Sequence, residues 1–149
     1  MNARERLARL AWLLDSSIPI PGTSFRIGLD ALIGLVPVAG DLVGVLLSAY
    51  IVREAAALGV PRSILARMAL NVAVEGLLGM IPFAGDLFDA AFKANQRNVR
   101  LMNAYLDQPR RAVRASRGFL ALVGLGLLGL FTLLSLLGFL LAGWLWGLF

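Results

Sequence analysis

The chain has 149 residues, 59% of them hydrophobic, and its mean hydropathy is +0.81. That is more apolar surface than a soluble domain of this size can hide. Charge is sparse and basic, with 14 Lys and Arg (13 of them Arg) against 9 Asp and Glu, and there is no Cys or His. Disulfides, thiol nucleophiles, imidazole bases and the usual Cys/His zinc sites are therefore excluded.

Residues 3–14 read as a short amphipathic helix. Leu7, Leu10, Ala11 and Leu14 fall at helical spacing, with Arg4, Arg6 and Arg9 around them. Such a stripe packs on the rest of the protein or lies on a membrane surface. The stretch does not read as a secretory signal, since its apolar core is too short and no small-residue cleavage site follows. "DSSIPIPGTS" (15–24) is expected to be a loop, because two prolines and a glycine in four residues do not continue a helix.

Residues 26–58 show a helical pattern, a break at "VPVAG", then helix to about Leu58. Gly59 suits the position just past that helix, and Pro61 the first turn of the next. Residues 61–81 are helical, "IPFAG" breaks them, and a further helix is expected from about Asp86 to Leu106, stopped by "DQP". No period-two alternation is visible, so no sheet is expected.

"RRAVRASR" (110–117) forms a basic collar of Arg110, Arg111, Arg114 and Arg117. After it, Gly118–Phe149 is 32 residues without one charge. A bilayer core needs about 20 helical residues, so this reads as a transmembrane helix. The excess length fits tilt, or a span followed by an interfacial end where Trp144 and Trp146 sit. Gly143/Gly147 and Gly40/Gly44 have GxxxG spacing, which allows close helix contact but also arises by chance in glycine-rich apolar runs.

"GLVPVAGDL" (34–42) returns 45 positions later as "GMIPFAGDL" (79–87). Across 30–50 and 75–95 the two stretches agree at 8 of 21 positions, including Gly34/Gly79, Pro37/Pro82, Gly40/Gly85 and Asp41/Asp86. This reads as a duplicated helix–break–helix unit. Pro37 and Pro82 end or kink a helix, and Gly40 and Gly85 relieve the corner. Asp41 and Asp86 then stand where N-caps belong. The other reading of these acids is an ion site at broken helices inside a membrane. Asp30 aligns with Glu75, and Arg26 stands four before Asp30 as in a helical ion pair. Arg67, Asn71 and Glu75 form a spacing-four stripe: a polar face, a paired buried network, or a ligand site. Asp89, Lys93 and Arg97 continue that spacing as a solvated face.

"IPGT", both "GD" phrases, "LGVPRS" and "FDAAFKANQRN" together resemble the family catalogued as domain of unknown function 4112, over about residues 7–106. The resemblance implies a duplicated, membrane-associated domain and supplies no activity, cofactor or catalytic residues.

The expected architecture is thus all-α: an N-terminal amphipathic helix and loop (1–24), a duplicated helical domain (25–106), the collar (107–117) and a transmembrane tail (118–149). Three functions follow from the composition. One is a non-catalytic structural or accessory membrane protein. The second is a homo-oligomeric ion or proton pathway using Asp30, Asp41, Glu75 and Asp86. The third is a membrane enzyme, for which no nucleophile–base set or metal spacing is visible. No cofactor or metal is expected. The expected partners are the bilayer, anionic headgroups at the collar, and another copy or another membrane protein, with no nucleic acid. By the positive-inside rule the collar is cytoplasmic and the C-terminus lies outside the cell membrane.

Overall fold

The computed structural model describes residues 2–24, 26–34, 39–79 and 91–146. Helix α1 (Ala3–Ser16) opens on a capping box: Glu5 N–H donates to Asn2 Oδ1 at 2.9 Å, and Asn2 N–H donates to Glu5 Oε2 at 3.1 Å. Such a cap contributes about 0.5–2 kcal/mol. The stripe of α1 faces inward, with Leu7, Ala11 and Leu14 buried and Leu10 half-buried against the core. On the outside of the helix, Arg4 donates to Asn103 and pairs with Asp107 at 3.0 Å.

Two features differ from the sequence expectation here. Helix α1 runs two residues further, through Asp15 and Ser16. The loop after it contains a minimal antiparallel pair, β1 (Ile18–Pro19) with β2 (Arg26–Ile27), where no sheet was expected. Two-residue strands are too short to show an alternation. The turn between them follows from chemistry: Pro21 precedes Gly22, whose φ is 77°, and Thr23 N–H donates to Ile20 C=O at 3.2 Å. Because Arg26 is on a strand, the helical spacing argument linking it to Asp30 does not apply. Its Nε–H donates to the Ser16 carbonyl at 2.8 Å, and its guanidinium lies 5.6 Å from the Trp12 ring centre.

Helix α2 (Leu29–Gly34) is short, and α3 (Ala39–Ala57) is long. Gly59 ends α3 as its sequence position implies. Its φ is 83°, its N–H donates to Ala56, and Val60 N–H donates to Ala55 C=O, a Schellman pattern. Helix α4 (Arg62–Gly79) follows directly after Pro61. The expected breaks, with Pro37, Pro82, Gly85, Asp86 and Asp89, lie outside the described residues; Gly40 and Asp41 are the second and third residues of α3, and the Asp41 side chain is not among those described.

The expected helix from Asp86 to Leu106 is interrupted. Lys93 adopts the left-handed conformation at φ 52°, and α5 (Ala94–Asp107) starts after it. The offset of 45 carries Lys93 to Ser48, buried in the unbroken α3. Helix α5 ends at Asp107, and Gln108 leaves the helical region at φ −139° and ψ 75°, as the proline after it favours. Helix α6 (Pro109–Trp146) then runs for 38 residues, about 57 Å, taking in the collar and nearly all of the apolar tail.

The core is where α1, α3, α4 and α5 meet. Ile51, Ile64, Met68 and Met102 are wholly buried, and Ala112 and Val113 of α6 pack on their edge.

Candidate functional site

Polar side chains collect where α5 begins. A helix N-terminus leaves its first backbone N–H groups without intrahelical partners. Here two carboxylates from distant elements meet them. Glu75 Oε1 on α4 accepts from Ala94 N–H at 3.0 Å, and Asp15 Oδ2 on α1 accepts from Gln96 N–H at 2.8 Å. Both negative charges sit at the positive end of the helix dipole.

Amide side chains extend the network. Asn95 Nδ2 donates to Asp15 Oδ1 at 2.8 Å, and Gln96 Nε2 donates to Ser16 Oγ at 2.7 Å. Asn98, wholly buried, donates to the Met68 carbonyl at 3.1 Å and accepts from Asn71 Nδ2 at 2.8 Å. Asn95 Oδ1 is buried and accepts no hydrogen bond. Burial pushes the Asp15 carboxyl above its ordinary 3.8. The Gln96 N–H, the Asn95 amide and the charges of Lys93 and Arg100 pull it down without cancelling that effect.

The stripe Arg67–Asn71–Glu75 is thus an interhelical seam. Asn71 and Glu75 bond α5, while Arg67 stacks on Phe119 of α6, 4.3 Å from the ring centre. Of the four acids singled out by the repeat, Glu75 caps α5 from α4, and Asp30 Oδ1 accepts from Ala31 N–H at 2.8 Å at the start of α2. Asp41 and Asp86 fall outside the described side chains. Arg97, placed on the solvated face, is exposed and stacks on Phe92, 4.4 Å from its ring centre. Arg110, Arg111, Arg114 and Arg117 all point outward from the first turns of α6, whose other face carries Ala112, Val113 and Ser116 inward.

Sequence reasoning did not single out Asp15, Asn95, Gln96 or Asn98. A signal for Asp15 exists: Leu7, Ala11 and Asp15 are four apart, so the apolar stripe carries that carboxylate inward. The matching signal on α5 is "ANQRN", three amides within four positions among buried residues.

The chain belongs to the family described as Domain of unknown function (DUF4112). The family model matches residues 3–106. That span is α1 to α5 with the whole of the carboxylate–amide network, and it stops before α6. No curated protein and no solved structure matches the chain.

Replacing Glu75 by Gln tests what its charge does. Gln keeps an acceptor oxygen for Ala94 N–H and removes the negative charge at the positive end of α5, an interaction of about 0.3–1 kcal/mol. Denaturant melts of the purified protein should show a loss of that size. A much larger loss would give the charge a role beyond capping.

Proposed function

We propose that this chain is an integral membrane protein in which α6 crosses the bilayer and α1 to α5 form a non-catalytic structural or accessory domain beside it. One observation carries the reading. Helix α6 is long and apolar enough to span, and none of its most apolar stretch is buried. Leu122, Phe131 and Trp146 stand 70%, 70% and 88% exposed on different sides of it. A helix apolar all round needs an apolar solvent, and lipid supplies one. The polar residue Thr132 fits that setting, as its hydroxyl donates to Leu128 C=O at 2.8 Å within the helix. The arginines of the collar would meet anionic headgroups.

The accessory role draws support from how the polar groups are used. Asp15, Glu75, Asn71, Asn95, Gln96 and Asn98 make hydrogen bonds that join α1, α4 and α5. The partner would be a second membrane protein or another copy of this chain.

Truncation after Arg117 keeps Ala112, Val113 and Ser116 against the domain and removes the charge-free segment. The truncated protein should leave the membrane fraction on carbonate extraction and keep a cooperative helical melt. If it stays in the pellet, the domain is itself embedded.

Orientation follows from charge. Lys and Arg number 4 in residues 1–26, 3 in 53–67 and 7 in 93–117. Whether or not the two units span, the positive-inside rule puts the collar in the cytoplasm. A reporter fused after Phe149 that is active only outside the cytoplasm should give signal. Activity of a cytoplasm-only reporter there would reverse the orientation.

A further inference from the structure

We propose that the groove between α4, α5 and the first turns of α6 binds a phosphate ester group, that of a lipid headgroup at the membrane surface. The groove encloses about 410 Å³ and is lined by Arg67, Asp107, Gln108, Arg111 and Ser116 among others. The inference rests on α6 spanning the bilayer, and it narrows the general attraction of the collar to one built site.

Two side chains in the groove lack the partners such groups normally find. Ser116 is 1% exposed, and its hydroxyl has no hydrogen-bond partner. A helical hydroxyl commonly bonds the carbonyl four residues back, as Thr132 does, so an orphaned one is costly unless something else fills it. Arg67 is half-buried with its guanidinium over the Phe119 ring, yet none of the described salt bridges or hydrogen bonds uses it. A fixed guanidinium with free N–H groups is suited to phosphate oxygens.

The remaining charges agree. Arg111 adds a second cation at the rim, and α6 begins at Pro109, so its N-terminal dipole points positive into the same corner. Asp107 is the opposing charge in the groove. Its carboxylate is paired with Arg4 at 3.0 Å, itself held by Asn103, and it faces solvent.

Depth selects the lipid source. Ser116 and Arg111 precede Gly118, where the charge-free segment starts, by about 3 and about 10 Å along the helix axis. The headgroup layer is roughly 5–8 Å thick on each side of the hydrocarbon core. With the hydrocarbon core starting at Gly118, the groove opens at the level where lipid phosphates lie.

The test uses the full chain purified in neutral detergent. Phosphatidate added to the micelles should raise the melting temperature saturably, and phosphatidylcholine should not. Arg67→Gln and Ser116→Ala should each weaken the phosphatidate effect by roughly tenfold, the cost of one charge-assisted hydrogen bond. Ser116→Ala should leave the lipid-free melt unchanged or raise it, since it removes an unpaired buried hydroxyl, so a weakened response there is not a folding defect. Equal protection by glycerol 3-phosphate would make a soluble ester the ligand and overturn the lipid source. An undiminished phosphatidate response in both variants would overturn the site. The collar reading is separated by Arg110→Gln/Arg114→Gln, which should reduce flotation with vesicles of 30% phosphatidylglycerol in phosphatidylcholine yet keep the saturable phosphatidate shift.

Discussion

Gly28→Ala should abolish the folded domain or lower its melting temperature by roughly 10–20 °C. Gly28 is buried between β2 and α2, and a Cβ there would overlap the carbonyl of Leu14 and crowd the backbone nitrogen of Asp15. The obstacle is backbone, so no rotamer change relieves it. Either the end of α1 or the start of α2 must move. Moving the first disturbs Asp15 and Ser16, which hold α5 through Gln96 and Asn95 and anchor Arg26. Overpacking alone costs about 1–3 kcal/mol, and the strained network adds to it. A loss near 3 kcal/mol is a large share of a typical 5–15 kcal/mol stability, and each kcal/mol moves the melt of a domain this size by about 4–8 °C. Gly22→Ala is the matching control. Gly22 has φ 77° and open space around it, so its cost is conformational only, about 1–2 kcal/mol. If Gly28→Ala melts like Gly22→Ala, α1 and α2 do not approach as closely as described.

The sequence shows α1, the stop at Gly59 and the long apolar helix clearly, because each rests on local chemistry: a stripe of four apolar residues, a glycine able to take positive φ, and a run without charge. The break at Lys93 has no such signal. Lysine has no preference for left-handed backbone, and the Lys93 side chain makes no capping hydrogen bond to α5. That helix can start there because Glu75 and Asp15, 19 and 81 residues from their bonded partners, supply the missing acceptors. A start fixed by tertiary partners leaves no local trace. The β1–β2 pair fails for a different reason, since two residues do not make a period.

The repeat aligns the two "GD" phrases well, and α2 and α4 are described up to the equivalent Gly34 and Gly79. Yet α2 has 6 residues and α4 has 18. The network is also built from unrepeated parts: Asp15 lies before the first unit, and Asn95, Gln96 and Asn98 follow the interruption that α3 lacks. The two stretches share a sequence phrase, whereas the amides that dock α1 follow only the second of them.

Asp15 is where the network is most exposed to test. Asp15→Ala leaves two donors, the buried Asn95 Nδ2 and the partly buried Gln96 N–H, without acceptors and should cost about 2–5 kcal/mol. Asp15→Asn should fall between that and wild type. Asparagine has one acceptor oxygen, so its own NH₂ must face a donor, at about 1–3 kcal/mol. The pH dependence carries the sharper prediction. The folded carboxyl titrates above the 3.8 of an ordinary aspartate because burial outweighs Gln96, Asn95, Lys93 and Arg100. The native state therefore holds this proton more tightly than the unfolded chain. The stability from that tighter hold is fully present below 3.8 and is lost as pH rises through the folded value. Asn does not titrate, so the gap between wild type and Asp15→Asn should be widest in acid and narrow towards neutral pH. Denaturant unfolding of both proteins in neutral detergent, in steps from pH 4 to pH 7, measures the gap directly. A gap that widens with rising pH would mean that the hydrogen bonds and the two cations dominate burial, and that Asp15 holds α1 to α5 as a stabilised carboxylate.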